Sequence, residues 1–515
     1  MRRSLLSLLL LTLARQAGAQ CPDGTAPPCR GVRVAAAPGP NTVAVLYFEN
    51  LGRDTSDAYI ADGLTEEVTS RLGQVARLNV TSRTAVRRLR NAASMQTSEL
   101  GRALNVSFLV NGSIRKAGDK LRVTVELVRA SSGSRVWGDQ FDRGTSDLLA
   151  LQEDIARAVA TGIAGQLLPA EQAKIARRPT RSGEAFDHYL RGRRVLAIVA
   201  PSSLGPAIQE FEAALRLDPS FTLARGFIAQ AYAPSVNWNW ATPDMPADTL
   251  IARGLAAADR AIREDSTSPD GWIARGIVLG FARPAAFEGS LESFRRAIAL
   301  DSNNVQAFQW YAIMSRRLGH FDDAIAAYHR AIAIDPTEAQ SQADLGFIAF
   351  TFRRFREAVR WYDSSLVIDA QRWQDRTRRA QALLRMGDTA AALGDARLAV
   401  RISGGQRTAL AMLSSVEARA GMTASARERL DPLVATWRGR NDISVRDGFE
   451  IAGALVSLGD TARALDVLER VSPKGAWLWS YLLFADFDPL RNSPRFQRLF
   501  NASMPPGASP RPWER

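Results

Sequence analysis

Few residues of this chain have the type and spacing that do chemistry. The three histidines are His188, His320 and His329. A metal site gathers about four ligands, and none of the three stands at ligand spacing from another or pairs with a candidate nucleophile. Asp62, Glu66 and Glu67 fall close together on what reads as one helix. Paired carboxylates can move protons, but in a charged first helix they read as a solvated face. Cys21 and Cys29 are the only cysteines and bracket a turn-rich loop. An oxidising compartment would allow a local Cys21–Cys29 disulfide there. No glycine-rich phosphate loop and no kinase signature is present. The expectation is a chain with no catalytic residue, no cofactor and no metal, and hence not an enzyme.

The elements that would position a binding surface instead are repeats. Asn303–Asp369 holds two successive 34-residue units in register. Phe321, Ala324, Tyr328, Ala331, Ile334 and Asp335 are matched by Phe355, Ala358, Tyr362, Ser365, Ile368 and Asp369. A fixed period of this size marks a stacked solenoid. Within one unit, Val305, Phe308, Tyr311, Ala312 and Leu318 keep helical spacing, and Leu318-Gly319-His320 reads as a turn. Phe321–Ile334 keeps the same spacing and stops at Asp335-Pro336, because proline lacks the N–H that a helix interior needs. One such pair cannot bury its own apolar face, so neighbours must stack.

This pattern resembles the tetratricopeptide repeat (TPR). Phe308 stands at the expected aromatic, Leu345-Gly346 at the Leu-Gly step, and Pro336 at the closing proline, with Ala370 in its place one repeat later. The resemblance implies a concave groove lined by the first helix of each repeat. Its groove positions here are Gln306, Gln309, Ile313, Arg316 and Arg317, then Gln340, Ala343, Phe347 and Phe350. Amides and guanidinium groups suit an extended peptide or an acidic terminus, whose carboxylate takes a bidentate arginine; alternatively Arg316 and Arg317 are simply solvated. Decayed copies extend the array over 184–485, about eight units. An insertion at Ala233–Asp248 carries Trp238, Trp240, Pro243 and Pro246, and reads as a binding loop if the Trp pair is exposed or, more simply, as a loop whose indoles cover the solenoid edge. Residues 486–515 read as a terminal cap followed by a Pro-rich, disordered tail from Pro505.

Ahead of the array, residues 42–168 alternate strand and helix patterns. Thr42–Phe48 is a continuous apolar run suited to a buried strand, and Asp57–Val75 has helical spacing. Leu78–Val80 is a short strand, and Thr84–Asn91 and Thr97–Leu104 are helices. Phe108–Lys116, Leu121–Arg129 and Arg135–Asp142 form an antiparallel meander through two tight turns. Asp147–Leu168 is an amphipathic helix ended by Pro169, and 169–183 reads as a linker. The phrases Val43–Asn50, Tyr59–Glu67, Val110–Arg115, Leu121–Leu127, Val136–Asp139 and Leu148–Ile155 resemble the TolB amino-terminal-like module, also compared with FlgO. Members of that family often carry a kinase, a nucleotide cyclase or a DNA-binding domain in front. Here the front reads as a signal peptide instead, so signalling output is not expected within this chain.

That signal peptide comprises Arg2-Arg3, the apolar run Leu5–Leu13 and the small residues Ala17-Gly18-Ala19. It is too short to span a bilayer and implies a Sec-type route to a periplasmic or secreted location. Residues 20–41 then read as a linker. Gln20 before Cys21 argues against a lipid anchor, since lipoprotein processing wants a small residue there. No later stretch is apolar enough to be a transmembrane segment. The formal charge of +13 would suit nucleic acid, but the basic residues are nearly all arginine, scattered, and no groove-reading module is visible. No nucleic-acid partner is expected.

The fold expected is therefore an α+β domain followed by an all-α TPR superhelical solenoid. The function expected is that of a non-enzymatic scaffold of the bacterial cell envelope, holding a protein or peptide partner. Two alternatives stand beside it: the ligand-sensing half of a signalling system whose output lies on another chain, and a hydrolase in the cleft between domains.

Overall fold

The computed structural model describes residues 38–509 and 512, apart from 53, 55–56, 82–85, 87–94, 197–200, 238–245, 282–285, 438–442 and 472–474. The expected signal peptide, the Cys21–Cys29 pair, Trp238, Trp240, Pro243 and most of the Thr84–Asn91 helix lie outside the described residues. Asn41–Arg515 forms one compact unit. Among the described residues no helix is long and apolar enough to cross a membrane.

The first part is a mixed sheet with its main helices on one face. Strands β1 (Thr42–Val45), β2 (Glu49–Asn50), β3 (Asn79–Val80), β4 (Phe108–Ala117), β5 (Lys120–Arg129) and β6 (Arg135–Gly144) are ordered β3-β1-β4-β5-β6, with β2 beside β4. β1 runs parallel to β3 and β4, and β4-β5-β6 is the antiparallel meander. Alternation along β5 buries Leu121, Val123, Val125 and Leu127 and exposes Arg122 and Thr124. These inward residues pack with α1 (Ala58–Gly73) and α3 (Leu148–Ala164). Val128, next after Leu127, points to the other face by the same alternation. There it joins Ala44, Leu109 and Leu104 of α2 (Thr97–Leu104). The expected strand Thr42–Phe48 is split. Phe48 leaves the ladder to cover Gly112, where any Cβ would come within 2.6 Å of its ring.

The first half of the expected linker is helical, and only residues 177–182 are irregular. Pro169 opens a further helix, α4 (Pro169–Ala176), where its missing N–H costs nothing. Ile175 is fully buried, and Glu171 pairs with Arg77 at 2.7 Å. The side chain of Arg71 donates to the carbonyls of Ile175 and Arg177. The sheet core then runs without a break into the array: Phe186, Tyr189 and Leu190 of α5 (Gly183–Leu196) join the cluster that contains Val43 and Leu127.

Among the described residues the array comprises eight successive helix pairs. After α5 come α6 (Pro201–Leu217), α7 (Thr222–Asn237), α8 (Ala247–Glu264), α9 (Pro269–Phe281) and α10 (Phe287–Leu300). Then follow α11 (Val305–Leu318), α12 (Phe321–Ile334), α13 (Ala339–Thr351), α14 (Phe355–Ile368), α15 (Trp373–Arg385) and α16 (Thr389–Ile402). The last pairs are α17 (Arg407–Arg419), α18 (Thr423–Ala435), α19 (Val445–Ser457) and α20 (Thr461–Glu469). Glycine on a first helix lets an aromatic of the second lie close: a Cβ at Gly192, Gly276 or Gly346 would meet Phe211, Phe294 or Tyr362 at 2.7–2.9 Å. Among the described residues the turn inside a pair takes a left-handed residue, supplied by Gly319, Arg353, Gly387, Gly421 and Gly459. Between pairs, an aspartate side chain closes an Asx turn two residues on, as at Asp301, Asp335 and Asp369. The aspartate keeps this turn without proline, which explains why Ala370 can replace Pro336. The chain is thus an α+β domain followed by an all-α TPR solenoid.

Candidate functional site

After α20 the chain does not simply cap the last repeat. α21 (Ala476–Leu482) and a 3-10 turn (Ala485–Leu490) fold back onto the inner face of α11, α13, α15, α17 and α19, and α22 (Pro494–Ser503) packs against them and against α20. Trp477 and Tyr481 stand at i and i+4 of α21, and Phe484, at i+7 in sequence, follows just past the helix end on extended backbone. Trp477 lies under the Arg317 guanidinium at 4.4 Å. Tyr481 meets Phe347 at 5.5 Å and Phe449 at 4.7 Å. Phe484 meets Phe347 at 4.6 Å, Phe350 at 4.7 Å and Phe449 at 5.4 Å.

Charged groups frame these rings. Arg378 covers Phe449, Tyr481 and Phe484 and donates to Glu450 at 2.6 Å. Asp486 is almost fully buried and accepts from Arg385 at 3.0 Å, Arg419 at 3.4 Å and Gln381 at 3.4 Å. Arg353 donates to the Leu483 carbonyl at 2.9 Å and to Asp488 at 2.8 Å. It does so from a left-handed backbone, φ 62°, at the repeat position that glycine holds in neighbouring pairs. Arg316 covers Phe347 at 4.1 Å and lies 3.9 Å from Asp344. Burial, reinforced by the like charge of Arg316, pulls the Arg317 guanidinium down to about 10, so it stays charged at neutral pH. Burial raises the Glu450 carboxyl against the pull of Arg378.

This corrects the expectation of an open groove. Arg316, Arg317, Phe347 and Phe350 are buried, and the chain's own C-terminal segment helps to bury them. Gln309 donates to Glu338, Gln340 bonds Asp344 and Arg372, and Ile313 is half-buried against the same core. Of the groove residues expected at Gln306, Gln309, Ile313, Arg316, Arg317, Gln340, Phe347 and Phe350, only Gln306 is exposed. The expected disordered tail is corrected at its start, where Ala508 packs against Gly319 and the core; residues 510, 511 and 513–515 lie outside the described residues.

The residues that sequence reasoning missed are Arg353, Arg378, Arg385, Arg419 and Glu450. The period contained part of the signal. Arg385 and Arg419 lie two and three 34-residue steps beyond Arg317, and Arg353 lies one step beyond Gly319.

The histidines first weighed for chemistry lie on different elements or turns. His188 bonds Glu210 at 2.7 Å, while His320 and His329 are exposed. Among the described residues no group of three ligating side chains could hold a metal. Glu66 and Glu67 are not a solvated face, because both pair with Arg193 of α5. This buried ion cluster ties the α+β domain to the array.

A family model described as the second domain of HilA/YgeH-like transcriptional regulators matches residues 40–158. A curated relative, "Putative adenylate cyclase 3" of Rhizobium meliloti (strain 1021), is 27% identical over 257 residues. The match covers 48% of this chain and 43% of that protein, so the chain spans less than half the relative's length. Solved structures with some likeness include a thermophilic TPR protein of Thermus thermophilus, 18% identical with a TM-score of 0.33, covering 39% of this chain and 99% of that one. Another is a tetratricopeptide repeat protein of Parabacteroides merdae ATCC 43184, 10% identical with a TM-score of 0.37, covering 53% and 98%. A third is PilW, a type IV pilus biogenesis factor, 16% identical with a TM-score of 0.36, covering 45% and 97%.

Proposed function

We propose that this chain is a non-enzymatic protein-binding scaffold or adaptor of the bacterial cell envelope, reached through a Sec-type signal peptide, with the array as its interaction platform. One observation carries the reading. The inner face of the array already holds a length of polypeptide, through three aromatic anchors and a clamped carboxylate. A surface that does this for its own chain has the chemistry of a peptide-binding surface. The continuous core between domains supports a rigid platform rather than two independently moving modules.

The test is crosslinking in cells with the full chain, followed by sizing of the reconstituted pair. A discrete envelope protein that forms a stoichiometric complex with the purified chain supports the scaffold. A chain that stays alone with every crosslinked candidate contradicts it.

A second reading is favoured by the matches to a transcriptional regulator's second domain and to a putative adenylate cyclase. In this reading the α+β domain, read as TolB amino-terminal-like, is the ligand-sensing half of a signalling system whose output lies on another chain. A small molecule that raises the thermal midpoint of the full chain, with no protein complex formed, would favour the sensor over the scaffold.

A further inference from the structure

The inner face is well matched to rings and poorly matched to polar atoms. Arg316 Nε and Nη1, Arg317 Nε and Glu450 Oε2 are buried with no hydrogen-bond partner among the described protein groups. Their side chains cover Phe347 and Trp477 or hold Arg378, so they form the wall on which α21 lies. Buried polar atoms left without partners weaken an interface. The segment also leaves at Gly475, whose φ of 134° and ψ of −160° belong to a region that only glycine enters freely. Both charges that the segment brings to the groove, Asp486 and Asp488, are gripped by arginines of the array.

We propose that the inner face of α11–α19 is a docking site for a partner protein's helical segment, with residues 476–490 as its tethered competitor. That segment would carry aromatic side chains at i, i+4 and i+7 and a carboxylate two residues further on. The proposal rests on the scaffold reading above and gives its partner a chemistry. The three rings take the places of Trp477, Tyr481 and Phe484. The carboxylate takes the Arg385–Arg419 clamp, a charge-assisted contact that tolerates no neutral substitute of equal strength. Acceptors on the incoming segment satisfy the Arg316 and Arg317 nitrogens that the internal segment leaves unbonded. Exchange of one segment for the other is a population shift, governed by the difference between two dockings to one wall.

The probe is a fluorescein-labelled synthetic peptide of residues 475–491, titrated by anisotropy into the full chain and into Asp486→Asn. The variant keeps the shape of the internal segment but loosens its hold on the clamp. It is expected to bind the probe at least about tenfold more tightly than wild type, about 1.4 kcal/mol, and adding Arg385→Ala and Arg419→Ala should remove that gain. Equal binding by both proteins would overturn the proposal. So would a sedimenting dimer of Asp486→Asn, which would make a second copy's segment the occupant.

Hydrogen exchange on the wild-type chain keeps the test open if the variant misfolds. Residues 476–503 should exchange through an opening that leaves α13 and α14 protected. Exchange of both in one global event would make the segment a fixed part of the core. That result would sink the docking site and leave the scaffold reading to its own complex-formation test.

Discussion

Arg353 sets two effects of opposite sign against each other. Its left-handed backbone, φ 62°, stands where Gly319 and Gly387 stand in the neighbouring pairs. Arg353→Gly should therefore relieve about 1–2 kcal/mol of backbone strain. Against this, the guanidinium donates to the carbonyls of Leu483 at 2.9 Å and Thr351 at 3.0 Å, and pairs with Asp488 at 2.8 Å. A hydrogen bond from a charged donor contributes about 1.5–3 kcal/mol. The lower end applies here, because the Leu483 carbonyl also accepts from Arg491 at 3.1 Å and is not orphaned by the change. The Asp488 side chain is 46% exposed, so that pair adds less than about 1 kcal/mol. A new glycine also loosens the unfolded chain by about 0.4–1 kcal/mol. The anchoring terms win, and Arg353→Gly is expected to lose about 1–3 kcal/mol net. Urea unfolding followed by tryptophan fluorescence reads this as a lower midpoint at unchanged slope. A variant as stable as wild type, or more stable, would show that Arg353 does not anchor the C-terminal segment.

Three further outcomes follow from the packing. Gly346→Ala places a Cβ 2.9 Å from the Tyr362 ring, so overpacking of about 1–3 kcal/mol should exceed the helix gain of about 1 kcal/mol. Gly394→Ala meets nothing within 4 Å and should stabilise instead; thermal melts of the two should move in opposite directions. Arg193→Ala removes the partner of Glu66 and Glu67 and should cost about 3–5 kcal/mol by urea unfolding. Adding Glu67→Gln should recover part of that loss, since burial already raises the Glu67 carboxyl. Glu171 is held down to about 2 by the Arg77 side chain and the Leu168 N–H. Because this folded value is depressed, its contribution is full above the ordinary 4.5 and is lost as pH falls toward 2. The difference in unfolding midpoint between wild type and Glu171→Gln should therefore be constant above pH 4.5 and close as the pH is lowered to 2.

The regular parts of the fold were legible because local patterns and tertiary needs agree there. The 34-residue register placed α11–α14, and strict alternation placed β5. What the pattern could not carry was long-range occupancy. Arg316 and Arg317 have the composition of an open polar groove, and only the fold-back of Trp477 and Phe484 makes them wall residues. Pro169 carried a stop signal and also a start signal, and local sequence alone did not choose between them. Glu66 and Glu67 look solvated until Arg193, 127 residues from Glu66, reaches them. The clamp at Arg385 and Arg419 was within reach, since both repeat the position of Arg317, but its carboxylate at Asp486 lies outside the period altogether.

The C-terminal segment occupies the inner face of the array. Replacing Tyr481 with p-benzoylphenylalanine and irradiating the full chain at low concentration tests it most directly. The expected product is an intramolecular crosslink to the peptides carrying Phe347 and Phe449, whose rings lie 5.5 and 4.7 Å from that of Tyr481. A folded chain that yields no crosslink to either peptide would show that the segment does not lie on the inner face.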